Sequence, residues 1–469
     1  MRVLLVEDTP AQSAAVMSAF GDDVTFIVAT NRDMALEVMA VEQFDVAVCD
    51  LKIPPSNGAS SNVEHGLAVL TAFRERHSGT PIITFTAYKT KKVLDFLFLE
   101  QRREDFLGTM DERPMLVVME KDELPELLEH LEQLRVEFTS LEDIEIAPGL
   151  GQPPPDWTIC RIVRVYARQR GCVLSRVTSL TSGLSGIPVI RVEMERADGS
   201  SGGSAVGRIA PIAAVDRERI SFQQRVSGVL PLGSYAEIIG VVRAGAGRMG
   251  GVFYQVAGDA QSLWTLPTTD DERAAAAVRS LSAVHERWTS GAPAETVELR
   301  AIRRILINDE RWVGVANRCG LTEDEIRTLE DSHIHIRRST THADLHGGNI
   351  LVGAEPVLID FASVTTGPTP LDPVSLELSL LFHPDAAQWE GDWPSLAQLE
   401  NWTDIEAFVV GCPFPSFIRA CREWATNAAR GDRDVVACAY AYVASQARFE
   451  TSNEERLAAI MRAVRGHLH

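Results

Sequence analysis

The sequence predicts an α/β doubly wound domain followed by a two-lobed α+β module. Three observations carry this expectation. Five short β-branched runs alternate with amphipathic stretches over residues 1–142, Gly-punctuated strand pairs dominate 157–262, and helical periodicity takes over across 263–469. Strand and helix in alternation imply a parallel sheet covered on both faces, and strands followed by helices imply a β-rich lobe leading into an α-rich one.

The strands expected in the first domain are VLLV (3–6), TFIVA (25–29), DVAVCD (45–50), IITFTA (82–87) and MLVVM (115–119). A Leu- and Glu-rich helix over about 122–142 closes the domain. Residues 143–156 contain Pro153, Pro154 and Pro155 in succession, which cannot continue a helix and favour a stiff extended spacer, so a domain boundary is placed there. In 157–262 a helix precedes the hairpin-like segments CVLSRVTSL, PVIRVEMERADG, SAVGRIAP, YAEIIGVVRAG and GVFYQVAG, with one further helix among them.

Length and composition narrow the function. A chain of 469 residues is expected to hold about three compact units. Against 65 acidic residues stand 45 basic ones, and the net charge of −20 disfavours nucleic acid as a partner. No apolar run approaches the roughly 18 residues of a membrane span, and Met1 leads straight into a strand, so a cytoplasmic protein with no membrane partner is expected. The seven cysteines (Cys49, Cys160, Cys172, Cys319, Cys412, Cys421, Cys438) form no C-x-x-C pair and read as buried free thiols.

The most specific signal is THADLHGGNILV (341–352) followed by VLIDF (357–361). Asp344 can accept the proton of an attacking hydroxyl, and Asn349, five residues on, can bind magnesium without adding negative charge. Asp360, ending an apolar run, supplies a carboxylate that bridges metal and nucleotide phosphates. These are the parts an in-line phosphoryl transfer requires.

HADLHGGNI and LIDF resemble the H-G-D-L-H-x-x-N and I-D-F elements of the aminoglycoside phosphotransferase and choline kinase-like family. The resemblance implies the two-lobed protein-kinase fold, with ATP and Mg2+ as cofactors. By that resemblance, Gly367 and Asp372 continue the pattern, Asp372 braces the catalytic loop, and His342 and His346 orient it. The Gly-rich SLTSGLSG (179–186) is similar to a phosphate-covering hairpin, making Gly183 and Gly186 nucleotide-binding candidates. Where the family carries a phosphate-binding strand lysine, this chain offers Arg208, and its helix partner is Glu218, Gln223 or Gln224. More narrowly, the module resembles kinase-like units attached to bacterial signalling and conflict-system proteins.

In the first domain, Glu7, Asp8 and Asp50 stand at the C-terminal ends of strands one and three, where three converging carboxylates call for a cation. VLLVEDTP, DVAVCDLKIP, PIITFTA and Lys121 resemble the response-regulator receiver family, whose domain is flavodoxin-like. The resemblance implies that Glu7, Asp8 and Asp50 hold magnesium, Asp50 is the phosphoacceptor, Thr86 binds the phosphoryl group and Lys121 pairs with it. Four features depart from that family. The loop from Asp50 to His65-Gly66 is long although Gly58 keeps its spacing, the stretch from Thr86 to Lys121 is longer too, Asp122 follows Lys121 in place of proline, and Val118 occupies the frequent aromatic switch position. Lys89, Lys91 and Lys92 form a basic cluster that reads as a solvated face.

Two functions compete on these residues. One is a receiver-regulated, ATP-dependent kinase acting on a protein or small-molecule hydroxyl, fed by an upstream sensor histidine kinase. The other is a pseudokinase adaptor, which Arg208 motivates. A homodimer is left open.

Overall fold

The computed structural model describes residues 1–87, 102–180, 187–256, 260–383, 386, 389 and 391–468. Two compact units result. One comprises Met1–Asp216 with Ile238–Val256, the other Arg217–Glu237 with Ala257–His469. The basic cluster Lys89, Lys91 and Lys92 and the glycines Gly183 and Gly186 lie outside the described residues.

The first unit begins with β1 (Arg2–Val6), α1 (Pro10–Met17), β2 (Thr25–Ala29), α2 (Arg32–Val41), β3 (Val46–Cys49), α3 (Val63–Arg76), β4 (Ile82–Phe85) and β5 (Leu116–Met119). All five strands run parallel in the order β2-β1-β3-β4-β5, the doubly wound sheet expected. Every residue of β3 and β4 is buried, because helices cover both faces of a parallel sheet. Asn31 and Asn62 cap α2 and α3 by accepting the Met34 and Glu64 backbone N–H groups.

α3 lies hard against the loop that leaves Asp50. A Cβ on Gly66 would stand 2.2 Å from the Leu51 carbonyl oxygen and 2.3 Å from its Cα, both backbone atoms that cannot turn aside. Gly66→Ala is therefore expected to cost at least about 1–3 kcal/mol, as overpacking does, and thermal denaturation checks it.

α4 (Leu124–Glu142) follows, and the segment expected to be a free spacer is partly a strand. β6 (Glu145–Pro148) pairs in parallel with β7 (Leu174–Leu180), placing the early part of the presumed linker at the edge of a second sheet. The three prolines come after it and lead to Asp156, which caps α5 (Trp157–Gln169) through the Ile159 N–H. β8 (Val189–Glu195), β9 (Ser201–Pro211), β10 (Ile238–Ala246) and β11 (Met249–Gln255) complete the sheet in the order β10-β11-β9-β8-β7-β6. Between β9 and β10 lies α6 (Ile212–Arg225), whose Arg217–Arg225 portion counts with the second unit.

Within the first unit, one hydrophobic cluster runs from Leu5, Val48 and Phe85 of the parallel sheet through Leu131 and Phe138 of α4. It continues through Ile162 and Tyr166 of α5 to Val192 and Phe253 of the second sheet. Tyr166 stacks on Phe253 at 3.8 Å with the rings 3° apart. Arg161 is buried there and bridges Asp45, at the start of β3, to Glu142, at the end of α4, at 2.9 and 2.8 Å. Gly79 exchanges backbone hydrogen bonds with Gly245 and Gly247, both at 2.7 Å. The two sheets thus share one hydrophobic cluster, while the other face of the parallel sheet packs into a second.

In the second unit β12 (Gln261–Ser262) pairs with β15 (Ile350–Val352) and β15 with β16 (Pro356–Leu358). β14 (His333–Thr341) lies between β13 (Ala294–Glu298) and β17 (Thr365–Pro368). Six helices matter here: α7 (Asp271–Thr289), α8 (Leu299–Arg303), α9 (Asp309–Val315), α10 (Leu371–Phe382), α11 (Pro415–Ala428) and α12 (Asp432–Gln446). Residues 257–262, expected with the β-rich lobe, count with this unit, since β12 pairs onto β15.

Among the described residues, no helix is long and apolar enough to cross a membrane. All seven cysteines are free, five of them buried, whereas Cys160 and Cys412 are only half-buried.

Candidate functional site

β14 delivers the chain into the loop at Thr341, and Asp372 holds that loop in place. The Asp372 carboxylate, 3% exposed on α10, accepts from Thr341 Oγ1 (2.6 Å), His342 N (2.8 Å) and Ala343 N (3.0 Å). His285 Nε2 of α7 lies 3.5 Å from Asp372 Oδ2, and its Nδ1 faces the Leu281 carbonyl at 2.9 Å. Burial pushes the Asp372 carboxyl up, but the His285 and Thr341 hydrogen bonds and the His285 and His342 rings outweigh it. The acid is held below the ordinary carboxylate range. Asp372, expected to brace the loop, thus accepts three hydrogen bonds from Thr341–Ala343.

The backbone at the two carboxylates is unusual. Ala343, directly before Asp344, has φ +59°, and Asp360 has φ +60°. A side chain in the left-handed region is disfavoured and persists only where surrounding contacts over-determine it. Both such residues stand at the carboxylates the motif singled out.

Asn349 Nδ2 donates to the Asp344 carbonyl oxygen at 2.8 Å, which leaves Oδ1 as the atom suited to a cation. Ile359 N donates to the Asn349 carbonyl at 3.0 Å, and His342 Nε2 sits 3.0 Å from the Ile359 carbonyl, so the loop is tied to the residue before Asp360. Phe361, the next residue, is fully buried and packs on Phe222 of α6 at 5.5 Å.

The Asp344 side chain keeps accessible surface while protein crowds it closely, the situation of a group in a concavity. Accessibility lets a substrate reach it, and crowding sets its proton affinity. Burial raises the Asp344 pKa most, and the Asp360 carboxylate raises it further.

His346 contacts the loop backbone and Trp264. Its Nδ1 accepts the Gly348 N–H at 3.1 Å, and its ring stacks on Trp264 at 5.3 Å. Burial pulls its pKa down to about 4, so the neutral ring keeps Nδ1 as an acceptor. Gly347 is required by the same indole, since a Cβ there would lie 2.6 Å from Trp264 Cζ3's neighbour Cε3. His342 and His346, expected to orient the loop, contact the Ile359 carbonyl and the Gly348 N–H respectively.

Sequence reasoning missed several residues of this site. Ser262 Oγ donates to the Gly347 carbonyl at 2.9 Å, and Arg448 and Tyr442 lie within electrostatic reach of Asp344. Those two residues belong to no local pattern, and only the packing of α12 brings them in.

In the first unit, Glu7, Asp8 and Asp50 offer carboxylate oxygens that all lie within 4.8 Å of one another. Oxygen ligands at such separations fit a small hard cation. Lys121 Nζ stands 2.5 Å from Glu7 Oε2 and 2.9 Å from Asp50 Oδ2, and it also donates to Gln12 Oε1. Burial opposes the Lys121 charge, but the bonds to Asp50 and Glu7 outweigh it and raise its pKa. Thr86 is fully buried at the end of β4, with its N–H donating to the Met119 carbonyl. The long loop after Asp50 folds back through the Ile53–Asn62 bridge, and Ser61 Oγ donates to Asp8 Oδ2 at 2.8 Å. Ser61 and Gln12 are further residues the sequence did not single out.

Arg208 is half-buried on β9, opposite Val189 and Val252. On α6, Glu218 is fully buried whereas Gln223 and Gln224 are exposed, so the helix turns Glu218 inward.

Residues 3–108 match the family described as response regulator receiver domain, and residues 196–399 match the phosphotransferase enzyme family. Similar solved structures include a response regulator receiver domain protein from Methanospirillum hungatei, 20% identical, covering 30% of this chain and 97% of its own, TM-score 0.22. An aminoglycoside phosphotransferase from Streptomyces rimosus is 14% identical, with 65% and 97% covered and a TM-score of 0.32. A choline kinase from Cryptosporidium parvum is 10% identical, with 62% and 88% covered and a TM-score of 0.33. No curated protein matches the chain.

Proposed function

We propose that this chain, whose residues 3–108 are a response regulator receiver domain and whose residues 196–399 belong to the phosphotransferase enzyme family, is an ATP-dependent kinase under receiver control. The γ-phosphate of ATP passes to a hydroxyl of a protein or small molecule. The observation that carries this reading is the Asp372-braced loop. It presents Asp344 at an accessible position and ties Asn349 to the Asp344 carbonyl, while Asp360 takes a strained conformation beside them.

In this reading Asp344 takes the hydroxyl proton, while Asn349 and Asp360 hold magnesium, which when bound neutralises phosphate charge. Arg208 and the glycines Gly183 and Gly186 serve the nucleotide, with Glu218 as the inward-facing acid of α6. Titration with ATP and magnesium tests the reading. Asp360→Ala is expected to weaken magnesium-dependent ATP binding at least tenfold, and wild-type protein that releases no ADP would overturn the enzyme. Arg208 favours a second reading, the pseudokinase adaptor, because a guanidinium does not reproduce a lysine ammonium. Stabilisation by magnesium and ATP without turnover is its signature.

Control by the receiver is supported by the shared core, in which the sheet carrying Asp50 and the sheet carrying Arg208 pack into one cluster. With an upstream sensor histidine kinase as phosphodonor, the protein belongs to a cytoplasmic bacterial signalling pathway. Beryllofluoride with magnesium is expected to change the ATP turnover of the wild type and to leave Asp50→Ala unaffected. An equal response in both would remove Asp50 as the phosphoacceptor.

A further inference from the structure

The long loop between β3 and α3 is held at several points. At the start of α2 the Arg32 and Asp33 N–H groups donate to the Pro54 and Pro55 carbonyls at 3.0 and 3.1 Å, and Asn31 Nδ2 donates to Asn57 Oδ1 at 2.9 Å. Across the loop, Asn62 N donates to the Ile53 carbonyl at 3.0 Å, while the Asn62 side chain caps α3. Ser61 is the residue directly before that cap, so both ends of the loop set its place. Its Oγ donates to Asp8 Oδ2 at 2.8 Å. Ser61 and Asp8 are half-buried and keep surface through which an ion can arrive.

The three acids of this site are held by different donors. Lys121 Nζ reaches Glu7 Oε2 at 2.5 Å and Asp50 Oδ2 at 2.9 Å. Backbone N–H groups take the other oxygens of the same two acids, Thr9 N on Glu7 Oε1 at 3.0 Å and Lys52 N on Asp50 Oδ1 at 3.2 Å. Asp8 is approached by two hydroxyls. Thr9 Oγ1 stands 3.4 Å from Oδ1, long for a hydrogen bond between oxygens, so the close contact is the one from Ser61.

We propose that Ser61 is a positioning residue of the receiver site, orienting the Asp8 carboxylate toward a divalent cation and so setting the magnesium concentration at which Asp50 accepts a phosphoryl group. The inference deepens the receiver reading and rests on it. Magnesium demands near-ideal octahedral geometry, so a ligating carboxylate that can swing binds it poorly. A carboxylate has about four acceptor positions, and one hydrogen bond from a hydroxyl fixes its direction while leaving the others for the ion. Removing such an outer contact typically costs about 10- to 100-fold in metal affinity.

Calorimetric titration of magnesium into the full chain, without nucleotide or phosphodonor, provides the binding test, with Asp8→Ala marking the heat that belongs to this site. Ser61→Ala is expected to raise the magnesium Kd there about tenfold or more, and Ser61→Thr, which keeps the hydroxyl, to restore most of the affinity. Melting curves recorded without magnesium are expected to coincide for wild type and Ser61→Ala. Labelled acetyl phosphate supplies the second readout. In that reaction an Asp50 carboxylate oxygen bonds to phosphorus, the bond from phosphorus to the bridging acetyl oxygen breaks, and acetate leaves with the electron pair. Ser61→Ala is expected to be labelled severalfold more slowly at the magnesium concentration that half-saturates the wild type, and at the wild-type rate once magnesium saturates. A Ser61→Ala variant with wild-type magnesium affinity, or one whose labelling stays slow at saturation, would overturn the proposal and leave the receiver reading standing. Wild-type protein that binds no magnesium through Asp8 removes both.

Discussion

Asp344→Asn is expected to lower ATP turnover by roughly 100- to 10,000-fold, the range that a positioned proton acceptor supplies, without loss of thermal stability. The two halves of this result have one cause. Crowding and the Asp360 carboxylate raise the Asp344 pKa. A carboxyl whose folded pKa is raised contributes stability that is fully present below its unfolded pKa and is lost as pH rises through the folded value. Near neutral pH this raised pKa therefore opposes folding, and an uncharged amide of the same shape removes that opposition. The melting temperature of Asp344→Asn should equal or exceed that of the wild type at pH 7, and the difference should shrink as the medium is acidified.

The wild-type rate should also fall on the acid side, as Asp344 takes up its proton at a higher pH than an ordinary aspartate. Asp344→Asn should lack that limb. Equal turnover in the two proteins, or a melting temperature several degrees lower in the variant, would show that Asp344 is a structural acid.

How far the sequence revealed this molecule depended on whether a feature is local. The five parallel strands followed from alternating runs, whereas their order came only with the structure, and the carboxylates at strand ends followed from the strands. Asp344, Asn349 and Asp360 were singled out as candidates because phosphoryl transfer requires those groups at fixed spacing within a short stretch. Glu145–Pro148 was read as part of a spacer because an edge strand of four residues beside a proline tract has no pattern of its own, and its pairing with β7 supplies it. Arg448 and Tyr442 lie about 100 residues from Asp344, and nothing in their neighbours marks them. The register of α6 was ambiguous between Glu218 and the glutamines because one turn of an amphipathic helix admits both, and only burial separates them. Ser61 entered its site because the extra length of the loop after Asp50 folds inward, which length alone does not imply.

Asp372→Ala is expected to damage both stability and activity, and the order of those effects identifies its role. The variant strands three donors, Thr341 Oγ1, His342 N and Ala343 N, in a buried place. Removing one partner from such a buried charged network costs about 3–5 kcal/mol. For a unit of this size that corresponds to a melting-temperature drop on the order of 10 °C. Asp372→Asn keeps the shape and one acceptor oxygen, so it should fold more stably than the alanine variant while still losing turnover, because a single oxygen cannot satisfy both the His342 N–H and the Ala343 N–H that the carboxylate holds through separate oxygens beside Asp344. The pH dependence has the opposite sign to that of Asp344. The Asp372 pKa is lowered in the folded protein, so its stabilisation is present above the unfolded carboxylate pKa and is lost as pH falls through the folded value. Acid denaturation should accordingly begin at higher pH in proteins that lack other braces of this loop, and the Asp372 variants should show a flatter acid limb than the wild type. If Asp372→Asn retained full turnover while Asp344→Asn lost it, the brace would be a folding element alone, and the left-handed backbone at Ala343 would need no carboxylate to maintain it.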